Sequence, residues 1–155
     1  MQEPPWSILE ILGIRVSARR AVVFLECGDE LNASKMFAKL PEKRDRELRS
    51  HFDYWIDGGI NDAWFHGWPN HERYKHCFSF RWRERNVRHR IYGFLCHPKN
   101  DDPRFQLCVL ISHARKTTED TDLKILDTIN RLRNDSKVLN AVKAYIESLN
   151  AKRRM

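Results

Sequence analysis

The chain has 155 residues, enough for one domain with a real core. Lys and Arg total 28 against 21 Asp and Glu, giving a net charge of +7 and a pI near 9.4, a balance that favours a polyanionic partner. No run approaches the ~20 apolar residues that span a bilayer, the opening MQEPPWSILEILGIRV has no basic n-region or small-residue cleavage site, and Cys27, Cys77, Cys96 and Cys108 lie far apart inside apolar runs. The expectation is a cytoplasmic protein with reduced, buried thiols and no membrane association.

Residues 1–19 read as an N-terminal extension, with Pro4 and Pro5 in a loop and WSILEILGIRV as either a short helix or an edge strand. RRAVVFLECGDE (19–30) is apolar, β-branched and ended by Gly28-Asp29, which predicts the first strand. Two helices follow. The first covers roughly 32–39; the second starts near Pro41, whose missing N–H suits a first helical turn. Leu48, Phe52, Trp55 and Ile56 recur at helical spacing, and Gly58-Gly59 stops the helix because glycine tolerates the left-handed cap. INDAWFHGWPNHER (60–73) reads as a packed loop.

Three strands are predicted next, over about 74–83, 88–97 and 105–113. RERN and PKNDDPR (98–104) are the turns between them, and connections this short make neighbours antiparallel. TTEDTDLKILDTINRLRND opens with Thr, Glu and Asp, as a helix N-terminus prefers. Ser136 is placed to cap a last helix whose Val138, Val142, Tyr145 and Leu149 form one stripe. Amphipathic helices of this kind pack on a sheet. With no repeat, linker or low-complexity tract, the chain reads as one α+β domain: a 1–19 extension, a core over 20–116 and a C-terminal helical pair over 118–150.

Alternation sets the faces of the strands. In the strand from Tyr74, His76, Phe78, Phe80 and Trp82 share one side, and Lys75, Cys77, Ser79, Arg81 and Arg83 the other. In the next, Arg88, Arg90, Tyr92, Phe94 and Cys96 oppose His89, Ile91, Gly93, Leu95 and His97. With the apolar side of the first strand covering helices, its arginine side faces outward. If Arg81 and Arg90 point to the same side of the sheet, they make a concentrated positive patch beside Tyr92. Guanidinium forks suit phosphate oxygens, and an aromatic among them holds an unstacked base. The plain alternative is a set of solvated hairpin residues that blunt aggregation, above all at Arg83 and Arg85.

His113, Arg115 and Lys116 fall at the end of the third strand, where an imidazole moves protons and a cation neutralises charge on a pentavalent phosphorus. A lone histidine in a strand is more often structural. A zinc site from His76-Cys77, Cys96-His97, Cys108 and His113 lacks any Cys-x-x-Cys or His-x-x-x-His spacing, so no metal or other cofactor is expected. Trp55, Trp64, Trp68 and Trp82 read as core and loop packing.

The order VVFLE, MFAKLPEKRDRELRSHFDYWIDGG, FSFR…HRIYGFL and VLISHARKTTEDTD, followed by a helix, resembles the RelE/ParE toxin superfamily, in its HigB-like, phage-derived branch, over roughly residues 20–132. The resemblance implies a β-α-α-β-β-β, antiparallel-rich sheet with helices on one face, to which the C-terminal helices are added. It implies a toxin paired with a cognate antitoxin, typically a helix-turn-helix DNA-binding protein, and an endoribonuclease acting on messenger RNA at the ribosome. By position it matches Arg81, Arg90 with Tyr92, His113 and Lys116, which are expected to carry catalysis; Arg83, Arg88, His89 and Arg115, from their own place in the basic strands, are the expected nucleic-acid contacts. The segment HARKTT departs from the family pattern in carrying Ala114 where glycine is usual and Arg115 where lysine is usual. The ParE branch shares the fold yet targets gyrase, so a non-cleaving binding protein or a phage-derived regulator is the alternative.

Overall fold

A computed structural model describes residues 6–17, 19–27, 31–96, 105–116 and 123–153, with the backbone alone described for Lys116 and Arg153. Six strands and four helices alternate as β1 (Ser7–Glu10), β2 (Arg20–Glu26), α1 (Ala33–Ala38), α2 (Glu42–Ile56), β3 (Phe65–Gly67), β4 (Cys77–Glu84), β5 (Val87–Cys96), β6 (Gln106–Lys116), α3 (Leu123–Arg133) and α4 (Ser136–Arg153). They build one mixed sheet in the order β1-β2-β6-β5-β4-β3. Only the β2–β6 pair is parallel; β4, β5 and β6 follow one another antiparallel, as their short connections require.

The sheet is covered on both sides. Val22, Phe24, Phe78, Phe80, Ile91, Cys108 and Leu110 meet α1 and α2 in one core. Ala21, Val23, Leu25, Tyr92, Phe94, Leu107, Val109 and Ile111 meet α3 and α4 in a second. α1 and α2 lie on one face, and the added C-terminal pair, whose face the sequence left open, forms a layer of its own on the other. The strands in between alternate two apolar sets, which is what burial on both faces demands.

Local chemistry explains most element ends. Gly58 has φ 92°, and the Gly58 and Gly59 N–H groups donate to Trp55 O and Tyr54 O, a glycine-terminated close of α2. At the start of α4 the cap is Asp135, one residue earlier than the expected Ser136: its Oδ1 accepts from Lys137 N–H at 2.8 Å. The open reading of residues near Trp6 resolves to an edge strand, β1. The stretch expected as loop holds the short strand β3, paired with β4 through Phe65↔Phe80, His66↔Ser79 and Gly67↔Phe78. The β4–β5 turn tightens to Arg85-Asn86 because Arg85 accepts φ 57°. The acidic start expected before α3, the PKNDDPR turn and His97 lie outside the described residues.

One irregularity matters beyond the fold. Tyr92 pairs with Ser112 but Gly93 pairs with Leu110, so Ile111 is an extra residue in β6. At this bulge a Cβ on Gly93 would sit 2.0 Å from Val109 O. Only glycine lets the strands approach so closely.

Candidate nucleic-acid interface

The β4–β5 hairpin carries the basic residues in facing rows. Arg81 lies opposite Arg90, and Arg83 opposite Arg88. On β6, Ala114 continues the first row and Lys116 the second. Like charges directly across a ladder repel, and these rows concentrate positive charge along the hairpin. Arg90 is the inner member, 4% exposed, and its Nη1 donates to the Tyr92 hydroxyl at 3.5 Å. Arg81 and Arg88 are half-buried, and Arg83 is exposed.

A cleft of about 610 Å³ opens along the β4 edge, lined by Arg81, Arg83, Arg88 and Arg90 together with Trp64, Trp82, His51 and His89. It exists because β3 is short: β3–β4 strand pairing ends at Phe65↔Phe80, after which the Arg81 N–H still donates to Trp64 O at 2.8 Å. At its far side the His51 ring stacks on Trp64, with centroids 4.4 Å apart. Burial lowers the His51 pKa, against Glu47 and a backbone hydrogen bond to Arg81.

The expected site does not assemble as one unit. Tyr92 is fully buried in the core under α3 and α4, so its ring is no platform for an unstacked base. His113 pairs with Ile91 and turns to the α1/α2 side, away from Arg81 and Arg90. The cause is the bulge. Val109 and Ile111 face α3 and α4, and strict alternation would send His113 after them; the extra residue shifts Ser112 and Ala114 to that side instead. Arg115, opposite His89, and His89, opposite Trp82, belong to the His113 side as well. His113 also lies within β6, with its N–H donating to Asn32 Oδ1 at 2.8 Å and its carbonyl accepting from Asn32 Nδ2 at 3.2 Å.

On that side Trp82, His89 and His113 stack. The Trp82 and His89 rings are 4.9 Å apart and 10° from parallel; Trp82 and His113 are 5.7 Å and 18°. His89 Nδ1 and His113 Nε2 share a hydrogen bond at 3.0 Å, one ring donating and the other accepting. Burial, then His89 and Arg115, pushes the His113 pKa down to about 4. Burial likewise lowers His89, against the attraction of Glu84. Both rings are therefore neutral near pH 7, as a shared single proton between them requires.

The sequence reading missed His66. It sits on β3 opposite Ser79, which pairs with Tyr92, so His66, Ser79 and Tyr92 form a row on the arginine side, next to the Arg81–Arg90 row. Trp68 meets its ring edge-on at 4.9 Å. Burial lowers the His66 pKa first, Arg81 and Arg90 add to this, and Asp62 opposes. A three-residue strand in a stretch dense with turn formers leaves no periodicity to read, so nothing in the local sequence pointed to it.

Cys77 and Cys96 are buried under α3 and α4 and Cys108 under α1 and α2, and burial raises the Cys77 and Cys96 thiols to about 11. Among the described residues no group of three or more His, Cys, Asp or Glu is placed to hold a metal ion, and no helix is long and apolar enough to cross a membrane. No family model matches the chain, and no curated protein or solved structure is significantly similar to it.

Proposed function

We propose that the chain is the toxin of a type II toxin–antitoxin pair, binding messenger RNA through its arginine rows and cleaving it at the ribosome in the cytoplasm. The observation that carries this is the double row Arg81–Arg90 and Arg83–Arg88 along an open cleft with aromatic walls. Guanidinium groups facing each other across two strands suit a phosphodiester better than any neutral ligand. The chain order β2-α1-α2-β4-β5-β6 runs as the RelE/ParE resemblance implies, with β1, β3, α3 and α4 as additions, and this supports the family reading. The natural partner on that reading is a helix-turn-helix antitoxin.

The chemistry needs no metal. A ribose 2′-hydroxyl attacks the adjacent phosphorus in line, and Arg81 and Arg90 carry the growing charge on the phosphate oxygens. Removing one such donor costs about 2.7–4 kcal/mol of barrier. Arg81→Ala is therefore expected to lose about 10²–10³-fold in cleavage and most growth inhibition. Primer extension on cellular RNA after induction is the test: cuts inside translated reading frames that vanish in Arg81→Ala support the proposal, and full toxicity of a well-expressed Arg81→Ala protein sinks it.

A second reading is favoured by the burial of Tyr92 and the turn of His113 away from the arginines. On it the same rows bind nucleic acid or a protein target such as gyrase without cutting. Intact RNA, with growth arrest and a DNA-damage response, is its signature.

A further inference from the structure

We propose that His66 is the proton acceptor of this site: the β3–β4–β5 register sets it on the same side of the sheet as Arg81 and Arg90, in the row beside theirs, at the rim of the arginine-lined cleft rather than among its lining residues. The inference rests on the RNA-cleaving reading above and deepens it. Of the three histidines in the described strands, His89 and His113 face the α1/α2 side; only His66 shares the arginine side.

Three features suit it to the role. The ring is half-buried, so it is reachable, whereas Tyr92 is not. Its orientation is set by the Trp68 edge, and β3 is held by Ser79 Oγ donating to His66 O at 3.4 Å. Its charged surroundings are Arg81 on β4, Arg90 on β5 and Asp62 before β3, and their balance with burial keeps the ring in its neutral, basic form. A bound phosphate cancels part of the arginine charge, raising the ring's proton affinity as the 2′ proton arrives.

In the step itself, the 2′-hydroxyl proton passes to His66 while the 2′ oxygen–phosphorus bond forms. The phosphorus–5′ oxygen bond breaks, and the leaving 5′ oxygen takes a proton from water. The products are a 2′,3′-cyclic phosphate and a 5′-hydroxyl, and the imidazolium returns its proton to solvent.

The test compares the wild type, His66→Gln, His66→Ala and Arg81→Ala on ribosomes programmed with a defined messenger RNA, with melting curves to verify folding. Both His66 variants are expected to lose about 10²–10⁴-fold in cleavage rate while holding a 2′-deoxy copy of the RNA within about two-fold of wild-type affinity. Wild-type cleavage should fall on the acid side of the His66 titration, and the residual rate of His66→Gln should lack that limb. In NMR titrations the 2′-deoxy RNA should shift the His66 pKa upward. A folded His66→Gln that cuts at the wild-type rate with the wild-type pH profile overturns the assignment. If Arg81→Ala alone abolishes cutting, the site reading stands and His66 falls; if the wild type leaves RNA intact, both fall together.

Discussion

At the hairpin end of the sheet, two faces a strand's thickness apart carry opposite chemistry. Toward α3 and α4 lie Arg81, Arg83, Arg88 and Arg90, with His66 in the adjoining row. Toward α1 and α2 lie Trp82, His89 and His113 in a stack, with Glu84 3.6 Å from His89. The first face concentrates positive charge. The second is a stack of neutral rings, with Trp82 and His89 each 6% exposed, and at those two residues behaves as core that contains an imidazole. Residue type alone does not separate them. Histidine lies beside an arginine row on one side and in a packed ring stack on the other, and the difference is which way a pleat points.

The bulge at Ile111 decides that direction for β6, so the strongest way to break the comparison is at its partner. Gly93→Ala places a Cβ 2.0 Å from Val109 O, a backbone atom that no rotamer change can move. The expected outcome is a loss of about 4 kcal/mol or failure to fold, in the range reserved for a few severe mechanisms. Denaturant melts measure it. A variant as stable as wild type shows that β5 and β6 do not approach as described.

Smaller, and specific to the arginine face, is the role of Tyr92. Its ring fills core under α3 and α4, so Tyr92→Ala is expected to cost about 3 kcal/mol. Tyr92→Phe removes only the hydroxyl that accepts from Arg90 Nη1, a cost of about 1 kcal/mol. On the proposed toxin reading, toxicity should follow stability in both, with Tyr92→Phe as toxic as the wild type in growth assays. A stable Tyr92→Phe protein without toxicity returns the hydroxyl to the catalytic set.

Much of this is legible in the sequence. The α2 stop at Gly58 and the antiparallel run of β4, β5 and β6 follow from turn residues, and a period of two groups Arg81 with Arg83 and Arg88 with Arg90; that the two pairs share a side is set by the register between the strands. The pieces that the sequence does not place have separate physical causes. Period-two reasoning counts residues, and a bulge inserts one without any residue that advertises it; Gly93 marks the spot only once Val109 is known to face it. The burial of Tyr92 depended on where α3 and α4 dock, a tertiary contact that amphipathicity predicts in kind but not in place. His66 was hidden because three residues of strand cannot show alternation.

The mildest way to sharpen the comparison is to titrate the buried face. His113 has its pKa lowered to about 4 from an ordinary 6.5, by burial first and then by His89 and Arg115; Glu84, on the far side of His89, attracts a proton to that ring instead. A histidine whose folded pKa is depressed binds fewer protons than its unfolded counterpart between those two values. Stability contributed by the neutral stack is thus fully present above about pH 6.5 and is lost as pH falls toward about 4. Acid loosens any protein through its carboxylates too, so the difference between variants carries the information. His113→Gln should melt with a shallower slope between pH 6.5 and 4 than wild type, yet on the proposed reading cut or bind RNA at the wild-type level at pH 7.5, since its ring turns away from the arginine rows and is not among the residues lining the cleft. Equal slopes would mean that this imidazole titrates as if exposed. A His113→Gln protein that folds and loses RNA cleavage would show that the proposed site crosses the sheet edge after all, joining the two faces through the cleft that His89 and Arg90 both line.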